Sequence, residues 1–555
     1  MASYYNYNET SPQVVVQGVA VKHPIHIYDH SHATHGVGAA EVHSQPINDN
    51  TGGNWTKGEH QPRRCNDAAF AILFYAHIGV MAWATAAFAP RMAREVAESH
   101  GYNQRDLLLE DDSGVTSRVL SWMIHNGSSY FKTVIGHRML QEDDENDAYS
   151  FDATTIGTDD VGDMMMLLGI SAGIALIIST LALTFMIRHA QFLIKFALLF
   201  NIATVTLFTT GSLFLSPFAA IMGIFLTGMT IWYAYVVWGR IPFAACNLVT
   251  ATTAVRANLG LSIFAYSNLL LMFGWAAWWM VAFASTIYVT SGCNGQGVCE
   301  SEGNGIVMFF LFLSFYWTSS VIKNTLHVTV AGVVGTWWFV PTEASSFCSS
   351  AVRDSYARSM TTSFGSICMG SLVVAIVETL ENTVKNQREE SDGLLLCLAQ
   401  CILACLRDVI EYFNTWAYVF VGLYGYTFLE AGKGVIELFK TRGWTTIITD
   451  NLAQSVLSML SAAVGLLTGL VAMTIAHGQG MVFGNELGAS AAAFFIGFIV
   501  GTVLTSTLMT LVSSAVNTVI VCYAEAPAEF QTNHPKLSDN MRSTWRQAWP
   551  SEFNY

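Results

Sequence analysis

The sequence predicts an all-α, polytopic membrane protein with about ten transmembrane helices and both termini in the cytosol. Hydrophobic residues make up 52% of the 555 residues, whereas charged residues make up only 12%. The mean hydropathy is +0.41, and long apolar runs recur along the chain between polar segments. Soluble chains carry about a quarter charged residues, so this composition argues against a soluble globular protein.

Each apolar run is long enough to cross a bilayer as a helix, which takes roughly 20 residues. A helix pairs its backbone polar groups within one segment, as a lipid environment requires. The predicted spans are 68–88, 164–187, 190–214, 217–238, 259–289, 305–340, 361–384, 415–439, 452–476 and 489–522.

The segment 385–413 does not fit a simple series of spans. Its apolar part, 394–406, has about 13 residues and is too short to cross comfortably. We interpret it as an interfacial or cytosolic helix, because charged residues such as Lys385 and Arg388 precede it. Strict alternation of ten complete spans conflicts with a cytosolic position, so a broken or re-entrant segment is expected nearby.

Basic residues favour the cytosolic side, and Arg63 and Arg64 precede the first span. The polar residues 1–66 have no sustained apolar period and are expected to be a disordered cytosolic tail. The transmembrane domain is predicted at 67–535, with a large extracellular loop at 91–163 and a cytosolic C-terminal tail at 536–555.

Two covalent features are expected outside the cytosol. Cys293 and Cys299 lie in a polar stretch between two spans, which predicts a disulfide if that loop meets an oxidising compartment. Asn126, in Asn-Gly-Ser, is the predicted glycosylation acceptor. Asn8 and Asn54 match the same pattern but fall in the predicted cytosolic tail.

The chain has no nucleotide-binding glycine loop, dinucleotide fingerprint or zinc-protease motif. We therefore expect no enzymatic activity, no catalytic residue and no cofactor, and any transport would be driven by gradients. The histidines of the N-terminal tail match no rigid metal site, so no metal is expected. A net charge of -14 argues against a nucleic-acid partner, and the lipid bilayer is the expected environment.

The sixth predicted span carries polar residues on one face. Trp317, Asn324 and His327 recur at helical spacing. Exposure of Asn and His side chains to lipid is energetically unfavourable, so these residues are expected to face the interior of the bundle. One interpretation is the lining of a hydrated pathway in which His327 titrates near neutral pH. The other is an interhelical hydrogen bond that holds two spans together.

Aromatic residues cluster in the fourth and eighth predicted spans. A quaternary ammonium ion cannot form hydrogen bonds, so proteins hold it against aromatic faces. Packing within the bundle and interfacial aromatic belts are the alternative uses of such residues. The candidates for cation binding are Trp232, Tyr233, Tyr235, Tyr418 and Tyr424.

Several stretches resemble the choline transporter-like family of solute carriers, in particular its fungal branch. The strongest resemblance lies in FYWTSSVIKNTLHVTVAGVVGTWWF at 315–339. Further matching segments are GRIPFAACNL at 239–248, SFGSICMGSL at 363–372, FNTWAYVFVGLYGYTFLEAGK at 413–433 and VNTVIVCYAEAP at 516–527.

The resemblance implies transport of choline or a related small organic cation by alternating access, with the fourth, sixth and eighth spans around the cation. Proton coupling through His327 is a hypothesis from its chemistry alone. The plasma membrane is the expected location, with an organelle membrane as the alternative.

The family usually carries Asp where this chain has Asn517, and a second acidic residue where it has Ala526. That departure supports the alternative of a non-transporting membrane scaffold. A membrane enzyme lacks any recognisable nucleophile or metal set.

Overall fold

The computed structural model describes residues 55–56, 59–60, 65–99, 158–212, 217–290, 305–347, 349–390, 394–442, 452–479 and 486–548. Cys293, Cys299 and Asn126 lie outside the described residues, as does almost all of the predicted N-terminal tail. The disulfide and the glycosylation site therefore stay predictions.

The described chain is built of α-helices, apart from a short 3₁₀ helix at Trp238–Arg240 and one antiparallel pair of two-residue strands, β1 (Trp55–Thr56) and β2 (Glu59–His60). In chain order the helices are α1 (Ala68–Ser99), α2 (Thr158–Ser212), α3 (Pro217–Val237), α4 (Ile241–Ala257), α5 (Leu261–Thr290), α6 (Gly305–Phe339), α7 (Ser350–Met360), α8 (Phe364–Glu390), α9 (Leu394–Tyr424), α10 (Phe428–Arg442), α11 (Leu452–Gln479), α12 (Glu486–Glu525), α13 (Pro527–Asn533) and α14 (Pro535–Ala548).

Eight helical stretches among the described residues are long and apolar enough to cross a membrane. The prediction of an all-α polytopic membrane protein is thus confirmed. One stretch, Met166–Gly211 within α2, has 46 residues and would extend about 69 Å if straight, more than twice the hydrocarbon thickness. The helix is kinked at His189, where φ is -126° and ψ is 29°. This kink falls between the predicted spans 164–187 and 190–214.

The prediction of one continuous span at 415–439 is wrong. Helix α9 runs without interruption from Leu394 to Tyr424, and residues 425–427 are not helical. Gly425 has φ of 64°, a left-handed conformation that suits glycine and ends the helix. This break lies after the segment 385–413, in which residues 385–390 end α8 and residues 394–413 form the first part of α9.

Helix α10 begins with a capping box. The Thr427 hydroxyl donates to Glu430 Oε2 at 2.7 Å, and the Glu430 backbone N–H donates to Thr427 Oγ1 at 3.4 Å. The Thr427 N–H in turn donates to Glu430 Oε2 at 3.3 Å. These bonds satisfy backbone donors that a helix start leaves without partners.

The chain just before α1 fixes this break in place. Asp67 Oδ2 accepts a hydrogen bond from the Ser366 hydroxyl at 2.7 Å and another from the Phe428 backbone N–H at 2.9 Å. The neighbouring Asn66 side chain donates to the carbonyl of Gly425. One short segment therefore ties the starts of α8 and α10 to α1.

Helices α6 and α9 cross with almost no space between their backbones. A Cβ atom added to Gly422 would lie 2.7 Å from both Ala331 Cβ and the Val328 carbonyl oxygen. Only glycine allows this approach, which brings the polar face of α6 against α9.

The predicted boundary after residue 535 falls within a packed helix, just after the first residue of α14. Trp545 of α14 is fully buried and donates from Nε1 to Asn247 Oδ1 of α4 at 2.9 Å. Asn533, at the end of α13, donates from Nδ2 to the Trp338 carbonyl of α6 at 2.9 Å. The C-terminal helices thus cover the ends of α4 and α6.

Candidate functional site

A cavity of about 1450 Å³ opens between α6, α8, α9, α11 and α12. This volume exceeds the roughly 300–1,000 Å³ typical of small-molecule sites. Four of these five helices are stretches that could cross a membrane, and α9 completes the wall. The cavity is the candidate functional site.

Asn324 and His327 of α6 both line this cavity. His327 Nε2 lies 3.0 Å from the Thr415 carbonyl of α9, and Nδ1 lies 2.7 Å from Ser514 Oγ of α12. A carbonyl oxygen can only accept, so Nε2 carries the proton and donates it. His327 therefore joins three helices through its ring and also lines the cavity. A hydrated pathway and titration of His327 near neutral pH stay predictions.

Tyr418 of α9 is buried beside the cavity wall and does not line it. Its hydroxyl donates to the Ile367 carbonyl at 3.1 Å and lies 3.3 Å from Ser371 Oγ. Asn324 Nδ2 donates to the same Ser371 Oγ at 3.0 Å. The Tyr418 hydroxyl is thus part of a polar network that links α6, α8 and α9.

Trp317 and Tyr424 also lie away from the cavity. Trp317 is stacked on His77 of α1 at 4.7 Å between ring centroids, and its Nε1 donates to the Cys368 carbonyl at 3.0 Å. The Tyr424 hydroxyl donates to Glu525 Oε2 at the end of α12. Both residues join helices in the core.

The aromatic residues predicted on the fourth span occupy the outer surface of α3. The exposed fractions are 61% for Trp232, 40% for Tyr233 and 82% for Tyr235. None of the three lines the cavity. In a membrane, such an apolar surface faces lipid, so the structure does not bring these residues together with Asn324 and His327.

Three other aromatic residues do line the cavity: Tyr316 of α6 and Tyr412 and Trp416 of α9. Tyr412 and Trp416 are one helical turn apart, with ring centroids at 6.1 Å and an interplanar angle of 73°. None of the three is among the binding residues predicted from the sequence. The missed signal was the continuity of α9, which places 412 and 416 on one face of a single helix.

Charged side chains concentrate at the same wall. Lys323 Nζ of α6 lies 2.7 Å from Glu411 Oε1 of α9. Arg407 lies 2.7 Å from Glu381 of α8 and 2.9 Å from Asp408. The remaining carboxylate is Glu378 of α8, which lines the cavity.

Glu378 has no hydrogen bond or ion pair with the part of the chain that the structure describes. Its electrostatic neighbours are two cationic groups, Lys323 and Arg407, and two further carboxylates, Glu381 and Glu411. Among the described residues that line the cavity, three carboxylates, Glu378, Asp408 and Glu411, accompany one cationic group, Lys323, so the field in the cavity favours a cation.

The opposite wall, from α11 and α12, is rich in hydroxyl and amide groups. The Ser513 hydroxyl donates to Gln454 Oε1 at 3.0 Å. Asn517 lines the cavity one turn after Ser513. Because Asn517 is an amide where an Asp is expected, the charged side chains of the cavity wall come from α6, α8 and α9.

An acidic, partly aromatic cavity can bind a small organic cation. Aromatic faces attract a cation even where it forms no hydrogen bond, and nearby carboxylates add Coulomb attraction. Within the described ranges, no group of three or more His, Cys, Asp or Glu side chains could hold a metal ion.

Residues 221–528 match the sequence model of a family described as plasma-membrane choline transporter. A CTL-like protein of Dictyostelium discoideum is 29% identical over 367 residues, which cover 64% of this chain and 62% of that protein. The protein PNS1 of Mycosarcoma maydis is 32% identical over 321 residues, which cover 56% of this chain and 60% of that protein. The PNS1 of Yarrowia lipolytica is 28% identical over 346 residues, covering 60% of each chain. The match spans about three fifths of the length of these relatives.

Proposed function

Because this chain belongs to the plasma-membrane choline transporter family, we propose that it carries choline or a related small organic cation across a membrane by alternating access. The observation that supports this proposal is the acidic and aromatic wall of the cavity between α6, α8 and α9. A quaternary ammonium ion is held by aromatic faces and counter-charge rather than by hydrogen bonds.

We assign the aromatic faces to Tyr316, Tyr412 and Trp416, and the attracting charge to Glu378. Asn324 and His327 form the polar part of the wall, and proton coupling through His327 stays a prediction. Trp232, Tyr233 and Tyr235 have no role in this proposal, because they lie on the outer surface of α3. The plasma membrane is the proposed location, and no catalytic step is proposed.

Uptake of radiolabelled choline into vesicles that contain the purified protein tests the proposal. Tyr412→Leu should weaken the apparent affinity by about tenfold or more, because a desolvated cation–π contact contributes about 2 kcal/mol. Tyr412→Phe should retain most of the affinity, since the aromatic face persists. Tyr235→Leu is the matched control, because this tyrosine lies on the exposed surface of α3.

Two results would count against the proposal. An absence of choline-dependent flux with the wild-type protein would remove transport of choline as the function. If Tyr412→Leu, Tyr316→Leu and Glu378→Gln each transport choline with wild-type affinity, transport stands as the function but choline does not bind in this cavity.

A further inference from the structure

Lys323 is the sole Asp, Glu, Lys or Arg residue in the 35-residue helix α6. It lies near the middle of the helix, about 27 Å from the first residue by the rise of 1.5 Å per residue. A lysine at this depth in a membrane helix is unfavourable unless it has a partner or reaches water. Here its ammonium group contacts the Glu411 carboxylate at 2.7 Å.

The ion pair borders the cavity and is not sealed in the core. The side chains of Lys323 and Glu411 are 58% and 46% exposed, and both residues line the cavity. A pair in such a position can separate without moving the backbone, and either partner can meet a bound ion. This distinguishes it from the fully buried contacts that hold α6 against its neighbours.

The surroundings of the pair are those expected for a bound organic cation. Tyr412 follows Glu411 directly on α9, Tyr316 lies two turns before Lys323 on α6, and Glu378 of α8 is an electrostatic neighbour of both charged residues. A cation that binds Tyr412 and Glu411 would occupy the position that the Lys323 ammonium holds. Two positive charges cannot share that position favourably.

We propose that Lys323 is a tethered cation that neutralises Glu411 while the cavity is empty and is displaced when the organic cation binds. This inference rests on the proposed transport function and adds how the Glu411 carboxylate is neutralised when no organic cation is bound. Lys323 lowers the affinity for the transported ion by competition, and it allows the empty protein to change conformation without leaving Glu411 unpaired.

The physical reason lies in the cost of a lone charge. While the cavity is open to water, a carboxylate without a partner is tolerated, but it becomes strongly unfavourable when the cavity closes and water is excluded during the return of the empty protein. In alternating access, net uptake requires the empty protein to return, whereas exchange of one cation for another does not. Loss of the lysine charge should therefore impair net uptake far more than exchange.

The test compares net uptake of radiolabelled choline into empty vesicles with its exchange into vesicles preloaded with unlabelled choline. In Lys323→Gln we expect net uptake to fall by about tenfold or more relative to exchange, while the apparent affinity for choline rises. Lys323→Arg should restore net uptake because the charge is kept. Lys195→Gln is the matched control, since Lys195 is an exposed lysine near Trp238, away from the cavity.

Equal losses of net uptake and exchange in Lys323→Gln, or an unchanged affinity, would overturn the inference and leave the proposed function standing. If the wild-type protein shows neither flux, the proposed function itself fails. The double variant Lys323→Gln/Glu411→Gln tests whether the single variant merely folds poorly, because it removes both charges of the pair and leaves Glu411 no charge to neutralise. Its net uptake should recover relative to exchange, and a double variant that exchanges without net uptake contradicts the proposal.

Discussion

At the residue scale, Tyr412 and Tyr418 show two different uses of tyrosine on one helix. Tyr412 lines the cavity, whereas Tyr418 is 1% exposed and its hydroxyl bonds the Ile367 carbonyl. Both residues stand in an aromatic-rich stretch, and the sequence analysis selected only Tyr418. The hydroxyl partners that separate the two roles come from α6 and α8, far from α9 in sequence.

We therefore expect Tyr418→Phe to lower stability without changing the affinity for choline. The substitution removes a hydroxyl that donates to Ile367 and accepts from Ser371, and a buried hydrogen bond contributes about 1 kcal/mol. The measurement is thermal unfolding of the purified protein, alongside choline binding. Tyr412→Phe serves as the control and should leave the unfolding temperature unchanged. A Tyr418→Phe protein of normal stability and weakened binding would place Tyr418 in the binding site.

At the element scale, the break between α9 and α10 determines which residues face the cavity. Because α9 begins as early as Leu394 and ends at Tyr424, before Gly425, its middle carries Glu411 and Tyr412 to the wall shared with α6 and α8. The apolar runs of the sequence are interrupted within this helix by its charged residues, so the predicted spans divided it there. Those charges are tolerated because they pair across helices, as Arg407 does with Glu381.

Asp67 is the residue on which the position of this break depends most directly. We expect Asp67→Ala to destabilise the protein by about 1 kcal/mol or more, as for the loss of a helix cap, because both Ser366 and the Phe428 N–H lose an acceptor. Thermal unfolding measures the effect. Asp67→Asn should be milder, since the amide oxygen can still accept. Equal stability of the alanine variant and the wild type would show that the capping box at Thr427 fixes the break alone.

At the scale of the whole molecule, the C-terminal helices tie distant parts of the bundle together. His534, between α13 and α14, is stacked on Trp337 at 4.0 Å and donates from Nε2 to the Trp337 carbonyl at 3.0 Å. Burial lowers the pKa of His534 below its usual value of 6.5. The folded protein therefore holds this imidazole in its neutral form.

This shift predicts a pH dependence of stability. As the pH falls below 6.5, the unfolded chain takes up a proton at His534 more readily than the folded protein does, so protonation stabilises the unfolded state. The contribution of His534 is fully present above pH 6.5 and is lost as the pH falls towards the lowered pKa. Thermal unfolding between pH 7.5 and 5.5 should show a smaller acid-induced decrease for His534→Gln than for the wild type. Identical decreases would mean that other groups cause the acid sensitivity.

The sequence by itself determined the membrane class, the helical architecture, the family resemblance and the polar face of α6 with Asn324 and His327. These features follow from local rules, since a bilayer demands apolar runs of a fixed length and makes intramembrane polar residues conspicuous. The sequence motifs also pointed to the family to which the matching residues 221–528 assign the chain.

Only the tertiary structure decided which aromatic residues face the cavity and which charges meet there. In a membrane protein the lipid-facing and the core-facing sides of a helix are both apolar, so periodicity does not separate Tyr235 on the outside from Tyr412 at the cavity. Lys323 and Glu411 are 88 residues apart in sequence and 2.7 Å apart in space. Their contact arises from the close crossing of α6 and α9 at Gly422, which no local pattern around either charge encodes.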